Sequence, residues 1–112
     1  MELDTYYKLL KEYIDIVKLL NYKYSDFIVE RKDTLFVEVD LLNFLLKQKD
    51  FLTVAEKKKM WRDLRWLDTD NDRKRFTIAT RIDGKSVRKF AVKLTPFNIL
   101  KTIDFGQKSG GI

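Results

Sequence analysis

Along the first twenty residues the apolar positions Leu3, Tyr6, Tyr7, Leu10, Tyr13, Ile14, Val17 and Leu20 return every three or four residues. That spacing lines one face of an α-helix, so a long amphipathic helix is predicted over Leu3 to Leu20. Asn21 to Ser25 interrupt it. Phe27 to Glu30 and Thr34 to Val39 are β-rich runs on either side of Arg31-Lys32-Asp33, which predicts a small hairpin or one strand entered by a loop. Leu41, Leu42, Phe44, Leu45 and Leu46 then make an almost wholly apolar helix from Leu41 to about Lys49, with Asp40 at its capping position. A helix so apolar belongs in the core.

Thr53 and Glu56 have the spacing of a capping box, in which hydroxyl and carboxylate satisfy the exposed amides of a helix start. The helix it opens is predicted from Val54 to about Leu67. On a helical wheel Val54, Met60, Trp61, Leu64 and Leu67 share one side, which assigns Trp61 to the core, while Lys58, Arg62 and Arg65 line another flank with Trp66 beside it. Asp68 to Lys74 reads as a polar turn. Arg75 to Ile82 and Ser86 to Leu94 read as strands joined around Asp83-Gly84-Lys85. A three-residue loop pairs Phe76 with Val92 and Ile78 with Phe90, and gathers Arg75, Arg81, Lys89 and Lys93 on the opposite face with Thr77, Ala79 and Ala91. Thr95 and Pro96 open a last helix through about Ile103.

With 112 residues, 45% of them hydrophobic and 13% aromatic, the chain has material for one core. A single domain over residues 1–105 is expected, followed by a glycine-containing flexible tail over 106–112. Cysteine and histidine are both absent, which removes disulfides, thiolate metal sites and the two commonest catalytic side chains. No nucleophile with its base, no paired carboxylates in an apolar setting and no glycine-rich phosphate loop is found, so an enzyme is the least favoured class and no cofactor is expected. Asp68, Asp70 and Asp72 alternate as at the start of a calcium-binding loop. Arg73 stands where that loop needs glycine and Ala79 where it needs a bidentate Glu, so no metal is expected either. The opening Met1-Glu2-Leu3-Asp4 lacks a basic stretch followed by an apolar run, and no apolar stretch reaches membrane-spanning length. A cytoplasmic protein is expected. Sparing Gly, Pro and Ala beside abundant Lys, Asp and Ile fits an AT-rich genome, such as that of many viruses and plasmids.

Charge changes the picture most. The net charge is +6, but Lys57 to Lys93 holds thirteen Lys or Arg against five Asp, while the rest of the chain carries ten bases and twelve acids. All the excess positive charge therefore lies on the capped helix and the hairpin after it, and the natural partner of such a surface is a polyanion, above all nucleic acid.

The order helix, strand, helix, short turn, helix, β-hairpin resembles the winged helix-turn-helix superfamily, with the likeness carried by Asp40 to Leu94. Leu41 to Lys49 corresponds to the first helix of the motif, Thr53 to Leu67 to the recognition helix, and Arg75 to Leu94 to the wing with Asp83-Gly84-Lys85 at its tip. Asp50-Phe51-Leu52 departs from the usual turn in lacking glycine, and the strands at Phe27 to Val39 are longer than usual. The resemblance implies an α+β fold that binds double-stranded DNA, with a homodimer through the Leu3 to Leu20 helix as an option, in a protein regulating transcription or replication. The candidate nucleic-acid-binding residues are Lys57, Lys58, Lys59, Arg62, Arg65 and Trp66 on the helix, and Arg73, Lys74, Arg75, Arg81, Lys85, Arg88 and Lys89 along the hairpin. Two alternatives stand beside this reading: an interaction module whose basic face docks on an acidic protein, and an RNA or single-strand binder using the hairpin and Trp66.

Overall fold

The periodic apolar stretch at the start of the chain becomes helix α1 (Leu3–Tyr22), which buries Leu9, Leu10, Tyr13, Ile14, Ile16, Val17 and Leu20. The computed structural model describes residues 2–70 and 75–100. After a 3-10 turn at Ser25–Phe27, the chain forms an antiparallel hairpin of β1 (Ile28–Arg31) and β2 (Thr34–Val37), turned by Lys32-Asp33. Helices α2 (Val39–Leu46) and α3 (Val54–Asp63) follow. The rest comprises β3 (Leu67–Asp68), β4 (Ile78–Ile82), β5 (Lys85–Lys93) and a short α4 (Thr95–Leu100).

β5 organises the sheet. Its second half pairs with β2 through Phe90 to Lys93 and with β3 through Ala91 and Val92, giving the order β1-β2-β5-β3, while its first half pairs with β4. Every pairing is antiparallel, so opposed residues share a face of the sheet. One face carries Leu35, Val37, Phe90, Val92 and Leu67, and these meet α1 and Leu42, Leu45 and Leu46 of α2 in the core. Among the described residues no helix is long and apolar enough to cross a membrane.

Three local expectations are corrected. Asp40 does not cap α2: the helix starts two residues earlier, at Val39, with Glu38 at the cap position and no side-chain capping bond, and Asp40 lies in the first turn, where its charge complements the helix dipole. Nor is α2 wholly buried, because Phe44 is 53% exposed. At the second hairpin the loop has two residues, Asp83 and Gly84, with φ of 54° and 79°. Positive φ at both positions is the type I′ geometry that matches strand twist, and Asp-Gly is suited to it. Ile82 therefore pairs with Lys85 and Ile78 with Lys89. This one-residue shift from the three-residue loop exchanges the faces of β4, so the single basic face expected there is split. Arg81 and Ala79 share a face with Ser86 and Arg88, whereas Lys85 and Lys89 share one with Ile78 and Ile82.

Thr95 lies within α4, and its hydroxyl donates to the Asp33 carboxylate at 2.6 Å. Lys93 Nζ approaches the same group at 3.2 Å. The Thr95 hydrogen bond, then the Lys93 charge, hold the Asp33 carboxyl below its usual range. The continuation of the last helix to Ile103 and the tail 106–112 lie outside the described residues.

Candidate nucleic-acid interface

The capping box forms as expected: Glu56 N–H donates to the Thr53 hydroxyl at 3.1 Å and Thr53 N–H donates to the Glu56 carboxylate at 3.0 Å. It sets the start of α3 and hence which way its three consecutive lysines point. Lys57 points inward and is 0% exposed. Its ammonium donates to Glu12 Oε2 at 2.8 Å and to the carbonyls of Leu46 and Lys49 at 2.7 and 2.5 Å, and lies 4.4 Å from the centre of the Phe51 ring. Lys57 thus ties α1 to the open carbonyl end of α2 and holds the connection between α2 and α3. It cannot serve as a phosphate contact, because a buried cation with three oxygen acceptors is already satisfied. Glu12 is buried as well, and its Oε1 has no hydrogen-bond partner among the described residues. Burial raises the Glu12 carboxyl above its usual range against the opposing pull of Lys57.

At the other end, α3 stops at Asp63, before the expected Leu67. Arg65 adopts φ 64°, its N–H donates to the Arg62 carbonyl, and Trp66 N–H donates to the Trp61 carbonyl. These are the two bonds of a Schellman ending, with arginine in the left-handed position that glycine usually takes. The reversal turns Trp66 back into the protein, where it is 4% exposed, stacks on Tyr13 at 4.8 Å and meets Trp61 edge-on at 6.1 Å. Trp66 is therefore a core residue and not a base-stacking surface. A helix continued to Leu67 would have left it beside the basic flank.

What remains accessible forms two groups. On α3 and the turn that ends it, Lys59 and Arg65 are exposed and Lys58 and Arg62 half-buried. The outermost face of the helix carries Ala55, Glu56, Lys59 and Asp63, so it is not uniformly basic. The cations lean toward the hairpin instead. Lys58 Nζ lies 5.5 Å from the centres of both Phe76 and Phe90, and the Arg62 guanidinium 5.1 Å from that of Phe76. These rings join the helix flank to the base of the β4–β5 arm by cation–π contact. Partial burial lowers the Lys58 ammonium pKa below the usual lysine range.

On the arm, Arg75, Arg81 and Lys85 are exposed and Arg88 and Lys89 half-buried. Arg88 donates to Asp70 at 2.8 Å and to the Thr77 carbonyl at 2.7 Å, Lys89 faces Glu38 at 3.7 Å, and Arg62 faces Asp63 at 3.3 Å. Part of the positive charge is therefore balanced locally, and Lys58, Lys59, Arg65, Arg75, Arg81 and Lys85 have no salt bridge among the described residues. Arg73 and Lys74 lie outside the described residues. A cleft of about 620 Å³ at the end of α3 is lined by Arg62, Arg65 and Lys93 facing Asp63, Asp68 and Asp70, with Leu67 and Thr69 between them. Among the described residues no group of three acids converges on a metal position.

Sequence reasoning missed Glu12, Phe76 and the inward turn of Lys57. The signal was present for two of them. Glu12 falls on the apolar stripe of α1 among Leu9, Tyr13 and Ile16, and Lys57 falls between Leu64 and Trp61 on the wheel of α3. Two opposite charges on the buried stripes of two helices are candidates for pairing with each other. No protein-family model matches the chain, and no curated protein matches it.

Proposed function

We propose that the protein binds nucleic acid, with duplex DNA as its target, through a surface running from the C-terminal half of α3 onto the Arg81 and Arg88 face of the β4–β5 arm. The observation that carries this reading is the contact of Lys58 and Arg62 with Phe76, which sets the basic flank of α3 beside the base of the arm. A winged helix-turn-helix arrangement agrees with it: α2 and α3 are consecutive helices, a hairpin follows, and the strand before α2 pairs with the second strand of that hairpin. Because the outer face of α3 carries Glu56 and Asp63, its docking is toward the arm side, with Arg62 and Arg65 nearest the DNA. The arm supplies backbone contacts through Arg75 and Arg81.

Fluorescence anisotropy of a mixed-sequence duplex, titrated at two salt concentrations beside the matching single strand, tests this. Neutralising about five phosphates gives a log–log salt slope of roughly −4 to −5. Arg65→Ala with Arg81→Ala, both at exposed positions, is expected to reduce that slope by about two while leaving the fold intact. Absence of duplex binding at low salt would end the proposal.

A further inference from the structure

The sheet has a second face, and the helices do not cover it. By the pairing register, Val29, Phe36, Ala91, Val87, Ile78 and Ile82 all lie on the side opposite the core. None of the six belongs to the core cluster, yet five are half-buried and Ala91 is fully buried. They form an apolar patch of their own between the two hairpins. Arg31 spans it from β1 to β4, donating to the Arg81 carbonyl at 2.6 Å and to the Thr80 hydroxyl at 3.4 Å, with its guanidinium 5.7 Å from the centre of the Phe36 ring.

The same face bears Arg31, Lys85, Lys89 and Lys93. Lys89 and Lys93 have Glu38 and Asp33 beside them, while Arg31 and Lys85 have no acid within salt-bridge distance among the described residues. The patch is thus apolar in its middle and positive at its margins. We propose that this face docks an acidic protein segment that carries apolar side chains, its carboxylates at Arg31 and Lys85 and its apolar groups on Phe36, Ile82 and Val87. The occupant follows from charge and shape. A duplex offers phosphates and scattered thymine methyls, too little apolar surface to cover five half-exposed hydrophobic side chains. A single strand needs aromatic platforms, and the patch has one ring, Phe36, already approached by Arg31. A second copy of the chain would set Arg31 and Lys85 against like charges. On this inference the arm is two-sided, with arginines for nucleic acid on one face and an apolar, lysine-edged face for a protein partner on the other.

Panning a displayed library of random peptides of roughly 20 residues on the folded protein tests it. Enriched peptides are expected to combine Asp or Glu with large apolar residues. Their affinity should fall at least about tenfold in Ile82→Ala/Val87→Ala and again in Lys85→Glu. The exposed Lys85 substitution keeps the test decisive if the apolar variant fails to fold. Duplex binding, read separately, is expected to be unchanged in folded Ile82→Ala/Val87→Ala, so this inference and the nucleic-acid reading fail independently. No enrichment, enrichment of peptides without acids, or affinity indifferent to both variants would overturn it. Displacement of the peptide by oligo-dT, with oligo-dT binding lost in the same variants, would overturn it in favour of single-stranded nucleic acid.

Discussion

Lys57 and Lys58 are neighbours in sequence and belong to two different regions of the molecule. Lys57 sits in the helical body, fully enclosed, with Glu12 and two carbonyls around its ammonium. Lys58 lies at the edge of the arm region, over two aromatic rings and half-open to solvent. In the body, charge is spent on holding three helices in register. In the arm, charge is left facing outward and only partly balanced. The residue type is the same, so the 100° step between consecutive helical positions decides which role each plays.

The sharpest way to break this contrast is Lys57→Met. It leaves Glu12 buried without its counter-charge and uncaps the carbonyls at the end of α2, which costs about 3–5 kcal/mol of stability by urea denaturation. Adding Glu12→Leu removes the stranded carboxylate, so the double variant is expected to recover part of that loss. A loss below about 1 kcal/mol for Lys57→Met would mean that the ammonium is solvated and the knot is not built as described.

The arm answers to a smaller perturbation. Gly84→Ala places a Cβ at φ 79° with no other atom within 4 Å of it, so its cost is backbone strain alone. That strain is about 1–2 kcal/mol. Hydrogen exchange is expected to accelerate at the β4–β5 amides while the amides of α1 keep their protection. Equal acceleration in both regions would show that arm and body unfold as one unit.

The elements most legible in the sequence were those written in local chemistry. The apolar spacing of α1, the capping box of α3 and the Asp-Gly turn each rest on residues within a few positions of one another, and each formed. What the sequence hid were one-residue and one-turn decisions. The hairpin register depends on whether Lys85 belongs to the loop or the strand, and period-two alternation reverses every side chain when that choice changes. The fate of Trp66 depends on a left-handed residue at Arg65, where no glycine marks the helix end. The burial of Lys57 depends on a partner 45 residues away. The positive surface was legible in outline as charge density, but its division between two faces of the arm required the register.

Acid titration sharpens the contrast through three carboxylates. Glu56, held low by its hydrogen bonds with Thr53, and Asp33, held low by Thr95 and then Lys93, both titrate below their ordinary values of 4.5 and 3.8. The stability they lend is complete above those values and is lost as pH falls through the lower folded pKa values. Glu12 runs the other way: burial raises its pKa above 4.5, so its contribution favours folding at low pH and fades as pH rises through the raised value. Urea midpoints measured between about pH 2.5 and 7 are therefore expected to fall on the acid side. Asp33→Asn should flatten that fall and Glu12→Gln should steepen it. A wild-type midpoint that rose steadily on acidification would mean that the buried pair dominates the surface acids.

The smallest effect has the most pointed meaning. Arg65 holds a left-handed conformation that an L side chain occupies at a cost of about 1–2 kcal/mol, and glycine there relieves the strain while adding chain entropy to the unfolded state. The net gain expected for Arg65→Gly is about 0.5–1 kcal/mol in urea denaturation. The same substitution removes an exposed cation from the surface proposed to meet DNA, so duplex affinity should fall as stability rises. Stability and binding moving in opposite directions would identify Arg65 as a position where the charge is retained for what it contacts. A parallel loss of both would instead place Arg65 among the contacts that hold the helix end together.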